Sequence, residues 1–177
     1  TKRKRWSHSI FREDKAMLIY LDFDGVLHPD EVYVVKGKIV LKSEGALFLF
    51  FYRLVEAIDD RLDVKIVLST SWVREVGFRM AKSVLPESLQ DRVIGGTYHT
   101  KIRTGWDTDS GDSWVGQSRY QQIAADRARR PEHQKWIAID DDVAGWAESA
   151  RGNLVQTDPA LGLGDDKAFA RLVSLLS

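Results

Sequence analysis

Met17-Leu18-Ile19-Tyr20-Leu21-Asp22-Phe23-Asp24-Gly25 sets five apolar residues directly before two carboxylates and a glycine. An unbroken apolar run of that length, closed by a turn signal, reads as a strand covered on both faces, as in a parallel sheet. Two more runs have the same form. They are Val64 to Leu68, interrupted only by Lys65, and Trp136-Ile137-Ala138-Ile139. Leu154-Val155-Gln156-Thr157 is a fourth candidate and Arg92-Val93-Ile94 a weaker fifth.

Helical patterns lie between these runs. Leu47, Phe50, Phe51, Leu54 and Ile58 fall on one helix face, with Ser43 as a plausible N-cap. Phe169, Leu172, Val173 and Leu176 repeat that spacing at the end of the chain. Weaker patterns predict a helix over Ser118 to Arg129 and another starting near Val143. Strands alternating with helices indicate βαβ units. The expected fold is α/β, a Rossmann-like three-layer αβα sandwich around a mostly parallel central sheet. Glu31 to Leu41 breaks the pattern with two β-rich arms around Lys36-Gly37-Lys38 and reads as a small β-hairpin. It follows the first strand's loop and could serve as a flap. Gly95 to Gly116 reads as a long loop, a length often associated with function.

The 177 residues suit one domain over 16–177, preceded by a basic tail over 1–15 that is read as solvated. Acidic and basic residues number 26 each, so no broad attraction to nucleic acid or an anionic membrane is expected. Without cysteine, disulfides, thiolate metal sites and cysteine nucleophiles are excluded. That usage suits a cytoplasmic protein. The most apolar stretch, Ala46 to Tyr52, is too short to span a bilayer, and the basic start has no apolar segment behind it. Neither a membrane association nor a signal peptide is expected.

The three strongest strands each end in polar residues: Asp22-Phe23-Asp24-Gly25, Ser69-Thr70-Ser71 and Asp140-Asp141-Asp142. In an open parallel sheet, ligands bind beyond the carboxyl ends of the strands. The groups can therefore converge. Two aspartates at i and i+2 leaving a strand can face one cavity, and Gly25 permits the tight turn that follows. Capping of a following helix would explain one of the aspartates 140–142, not three. Adjacent carboxylates repel, so their density favours a cation among them, and oxygen-only ligands favour Mg²⁺ over zinc. Hydroxyls and backbone N–H groups at Ser69, Thr70 and Ser71 could hold phosphate oxygens.

The order of these pieces resembles the haloacid-dehalogenase (HAD) superfamily of phosphotransferases, from about Met17 to the C-terminus. "VLSTSWVR" and "WIAIDDD" further resemble a small, largely capless branch found in some RNA-repair fusion proteins. The resemblance implies a phosphomonoesterase in which Asp22 is the nucleophile, forming an aspartyl-phosphate, and Asp24 the general acid/base. It implies Mg²⁺ held by Asp22, the backbone carbonyl of Asp24 and Asp140, with Asp141 ligating or orienting a bound water. Thr70 matches the phosphate-binding hydroxyl, with Ser69 the alternative, while Gly25 and Ser71 line the substrate. Arg119 matches the basic residue, where lysine is commoner; Lys101, Arg103 and Lys135 are fallbacks. The substrate implied is a phosphorylated small molecule or nucleic-acid end, including nucleotides. A non-catalytic module that binds a phosphorylated partner is the competing reading. A receiver domain fits poorly, because the last candidate strand ends in Thr157-Asp158-Pro159 without the late lysine. The sequence leaves the oligomeric state open.

Other residues carry blander expectations. His28 could reach a leaving group, but a loop histidine ordinarily faces solvent. Trp72, Trp106 and Trp114 could stack on a base, but core packing is the default. His99 has no second ligand at metal spacing, so a surface role is expected.

Overall fold

The computed structural model describes residues 16–30, 32–35, 38–41, 46–99, 114, 116–131 and 135–177. The basic tail, Ser43, Lys101, Arg103, Trp106 and the first two residues of the Lys36-Gly37-Lys38 turn lie outside them. Five strands form one all-parallel sheet in the order β5-β4-β1-β6-β7. They are β1 (Met17–Leu21), β4 (Val64–Leu68), β5 (Val93–Gly96), β6 (Trp136–Asp140) and β7 (Leu154–Gln156). All four apolar-run expectations hold, as does the weak fifth, which extends two residues further to Gly96. The expected hairpin is also present, as antiparallel β2 (Val32–Val35) and β3 (Lys38–Leu41) in a sheet of their own.

Alternation along the strands sends side chains to two cores. Ile19, Leu21, Ile66, Leu68, Ile137 and Ile139 face one side, together with Leu54 and Ile58 of α1 (Phe51–Ile58) and Leu172 and Leu176 of α6 (Asp166–Leu176). Leu18, Tyr20, Val67, Trp136 and Ala138 face the other, with Ile123 of α5 (Arg119–Ala128). Burying a leucine or isoleucine fully contributes about 1.5–3 kcal/mol, which is why the strands carry few polar residues. The Tyr20 hydroxyl donates to Asp126 Oδ2 at 2.9 Å, and this fully buried carboxylate also takes Arg129 and Arg130 at 2.6 and 2.8 Å. These contacts seat α5 across β1.

Three expectations need correction. The helix patterned from Leu47 begins only at Phe51, because Phe48 sits at φ 60°, outside helical geometry. Leu47 to Phe50 form turns instead, and the Phe50 N–H donates to the Leu27 carbonyl. No helix starts at Val143. Asp142 Oδ1 accepts from the Ala144 N–H, Gly145 takes φ 71°, and a 3₁₀ helix follows over Glu148–Asn153. In α6 the inward stripe is Ala168, Leu172 and Leu176, while Val173 faces outward. The sequence patterns also missed three short helices between β4 and β5: α2 (Trp72–Glu75), α3 (Phe78–Ser83) and α4 (Glu87–Gln90).

The sheet order reverses at β1. The chain steps outward from it through β4 to β5, then returns to its other side for β6 and β7. Leu21 pairs with Leu68 on one side and Ile139 on the other. Asp22, Ser69 and Asp140 are the next residues of their strands, so the register brings all three level at the carboxyl rim of the switch point, where such sheets bind ligands.

Candidate active site

Asp22 and Asp140 are buried at that rim, and Asp141 half-buried. Each of the three offers a carboxylate oxygen, and the three oxygens lie within 4.8 Å of one another. The backbone fixes them there. The Asp22 N–H donates to the Ile139 carbonyl at 3.1 Å, and Asp22 Oδ1 accepts from the Phe23 N–H at 2.8 Å. Asp140 Oδ1 accepts from the Asp142 N–H at 3.0 Å, so Asp142 shapes the turn rather than joining the cluster. Gly25, at φ 67°, lies against Asp141, where a Cβ would come 2.5 Å from the carboxyl carbon. Its carbonyl accepts from the buried Thr157 hydroxyl at 2.7 Å, tying the loop after β1 to the end of β7.

Arg119 reaches into this cluster from the first residue of α5. Its Nη2 donates to Asp22 Oδ2 at 3.0 Å, and its Nε lies 3.0 Å from Asp140 Oδ2 at ion-pair distance, though not along a hydrogen-bond direction. A cation is unfavourable at a helix N-terminus. Its placement is held by other contacts. Ser118 and Gln121 form a reciprocal capping box at the helix start, and Gln122 Oε1 accepts from Arg119 Nη1 at 3.2 Å. Gly145 passes so close to Ser118 that a Cβ would meet the serine Cβ at 2.7 Å. Lys135 precedes β6 and so lies at the opposite end of that strand from Asp140.

The cluster crowds like charge into a buried space. Burial pushes the Asp22 and Asp140 carboxyls up, and repulsion from Asp24 and from Asp22, respectively, adds to it; Arg119 opposes both. Burial and the Asp22 and Asp30 charges raise Asp141 from 3.8 to about 6. Burial alone would lower Arg119, but Asp22 and Asp140 leave it raised. A carboxyl raised in the folded state binds protons that the unfolded chain has released, so stability falls as pH rises through that interval. Metal-free Asp141→Asn protein should therefore gain stability relative to the parent as pH increases from 3.8 towards about 6. Parallel thermal denaturation across this window checks it, and a constant difference would contradict the crowding of charge.

Thr70 is fully buried, and a hydrogen bond from it to Asp22 favours the Asp22 carboxylate. Ser69 is also buried, but its hydroxyl has no partner among the described residues. Ser71 is half-buried and precedes α2, with its carbonyl accepting from the Arg74 and Glu75 N–H groups. The Asp24 carboxylate stands apart from the three clustered oxygens. It accepts from Trp72 Nε1 at 3.1 Å to each oxygen and meets His28 Nε2 at 2.9 Å. Sequence reasoning missed this pair. His28 is fully buried rather than solvent-facing, and the indole of Trp72 is bound to a carboxylate rather than merely packed. Trp114 does pack in the core, edge-on to Tyr98. His99 is half-buried in a cavity wall beside α2.

Convergent carboxylates and an arginine at the switch point of an all-parallel sheet define a HAD-type α/β domain. The chain belongs to the family described as the HAD domain in Swiss Army Knife RNA repair proteins, whose model matches residues 18–168. No curated protein and no solved structure matches it. No helix among the described residues is long and apolar enough to cross a membrane.

Proposed function

We propose that the protein is a Mg²⁺-dependent phosphomonoesterase that works through phosphorylation of Asp22. The observation that carries this reading is the meeting of Asp22, Asp140 and Asp141 within 4.8 Å, with Arg119 bridging the first two. Three crowded carboxylates with no histidine or thiolate among them fit a hard divalent cation. Asp22, Asp140 and the Asp24 carbonyl would hold Mg²⁺, with Asp141 as ligand or orienter of a bound water. Mg²⁺ there would offset the repulsion between an anionic nucleophile and an anionic phosphate, about 4 kcal/mol per unit pair at 4 Å and an effective dielectric of 20.

The residues divide the work. An Asp22 oxygen attacks phosphorus while the bond to the leaving alkoxide breaks, and Asp24 gives that alkoxide its proton. Asp24 then takes a proton from water as the water attacks phosphorus, releasing inorganic phosphate and restoring Asp22. Arg119 and the Thr70 hydroxyl steady the phosphoryl oxygens, and Ser71 and Gly25 line their approach. The contact between Thr70 and Asp22 favours Thr70 over Ser69 as the phosphate-binding hydroxyl.

A nucleotide or nucleic-acid-end phosphate is the substrate class we favour. A cavity of about 590 Å³ is lined by Arg74 of α2 and by Phe78, Tyr98, His99, Arg129 and Arg130, among others. None of the clustered carboxylates lines it, and its arginines and aromatic rings are of the kind that would suit the body of such a substrate. The RNA-repair setting of the family agrees. The hairpin β2–β3 would then act as a flap over the rim.

Chelation of divalent metal should stop phosphate release, and added Mg²⁺ should restore it. A phosphate-release panel of nucleotides, phosphorylated oligonucleotide ends, sugar phosphates and phosphopeptides tests the function. Silence across the panel with Mg²⁺ present would favour a binding module.

A further inference from the structure

We propose that His28 and Trp72 are positioning residues that clamp the Asp24 carboxylate for proton transfer. The inference rests on the phosphohydrolase reading above, and adds to it the means by which the acid/base is aimed. Trp72 Nε1 lies 3.1 Å from both Asp24 oxygens, and His28 Nε2 lies 2.9 Å from Oδ1 alone. A carboxylate offers roughly four lone-pair directions. Oδ1 takes two contacts, whereas Oδ2 takes only its share of the indole fork and keeps room for a leaving group or water. The Asp24 side chain is 22% exposed, against 0% for His28. The histidine is therefore enclosed, while part of the Asp24 side chain reaches the surface.

The surroundings argue against ordinary core packing. The imidazole is enclosed by Phe48 and Trp72, with ring centres 4.9 and 5.8 Å away, and Phe23 packs edge-on to both of those rings. Its Nδ1 is buried without a hydrogen-bond partner among the described residues. Burying that nitrogen costs free energy that an apolar side chain in the same pocket would avoid. The compensation visible in the structure is the contact from Nε2 to Asp24. Trp72 likewise spends its only side-chain N–H on this carboxylate. The turn that allows the His28 contact is set by Gly25 and by the bridge between Asp24 and His28.

A clamp of this kind has a signature that general loosening lacks. Protonation of the leaving group matters greatly for an alkoxide and little for nitrophenolate. The test compares kcat/KM for glycerol 2-phosphate and 4-nitrophenyl phosphate, with Mg²⁺, in the parent and in Trp72→Phe, His28→Leu and His28→Gln. Trp72→Phe keeps an aromatic ring, and its folding is checked by circular dichroism and thermal denaturation. Expected for Trp72→Phe and His28→Leu is a fall in the alkyl-to-aryl ratio of about tenfold or more, within the range of general acid catalysis. His28→Gln retains an N–H donor of similar reach and should keep most of the ratio. An unchanged ratio in both Trp72→Phe and His28→Leu, or equal losses on the two substrates, overturns the clamp while leaving the phosphohydrolase reading intact. A parent protein that releases phosphate from neither substrate nor from any member of the panel overturns that reading and the clamp together.

Discussion

Replacing Asp22 by asparagine is expected to reduce hydrolysis of an aryl phosphate by about 10⁴-fold or more, the scale on which loss of a covalent nucleophile is felt. The fold should survive. Asp22 is buried beside Asp24, Asp140 and Asp141, and its carboxyl is raised by that environment. An amide of the same shape keeps the acceptor for the Phe23 N–H and removes one member of a repelling group. Metal-free Asp22→Asn protein should therefore melt no lower than the parent near neutral pH. Inactivity combined with retained stability separates a chemical role from a structural one. Turnover close to that of the parent would rule out the covalent scheme.

Arg119→Met is expected to cost both activity and stability. The side chain bridges two carboxylates that are 5% and 1% exposed. Removing one partner from a buried ionic cluster typically costs about 3–5 kcal/mol, because the charges left behind remain desolvated. That loss should be largest in metal-free protein near pH 8. It should shrink towards pH 5, because the raised Asp22 and Asp140 carboxyls take up protons more readily there. Mg²⁺ should recover part of it by binding the folded state alone. Activity should fall by about 10²–10³-fold, as when one preorganised donor to developing charge is lost. Urea denaturation at the two pH values, with and without Mg²⁺, reads the stability part. Equal stability of variant and parent at pH 8 would mean that the guanidinium does not neutralise the cluster.

The residues that could be read from sequence are those whose signal is local. Met17 to Leu21 and Trp136 to Ile139 are apolar on both faces, so they announce buried parallel strands, and the polar residues after them fall at the ligand-binding rim. Ser118, followed by Gln121, marks the start of α5 and hence the place of Arg119. The short helices α2 to α4 carry no such signal, since four to six residues are too few to show a helical period. Phe48 and Gly145 ended helical patterns through positive φ, which composition does not display at a phenylalanine. The contacts to Asp24 were hidden for another reason. Trp72 is 48 residues away, and its approach depends on where β4 ends and α2 begins. His28 is only four residues away, yet it turns inward because the loop after Gly25 folds back beneath Phe48. His28 breaks the rule that a core side chain should be apolar, and such breaks tend to fall at functional sites.

Beryllium fluoride mimics a phosphoryl group bound to a carboxylate, and so probes the nucleophile without knowledge of the natural substrate. Thermal denaturation with beryllium fluoride and Mg²⁺ should show a clear rise in Tm for the parent and none for Asp22→Asn. The same rise in both proteins, or none in the parent, would contradict Asp22 as the residue that accepts the phosphoryl group.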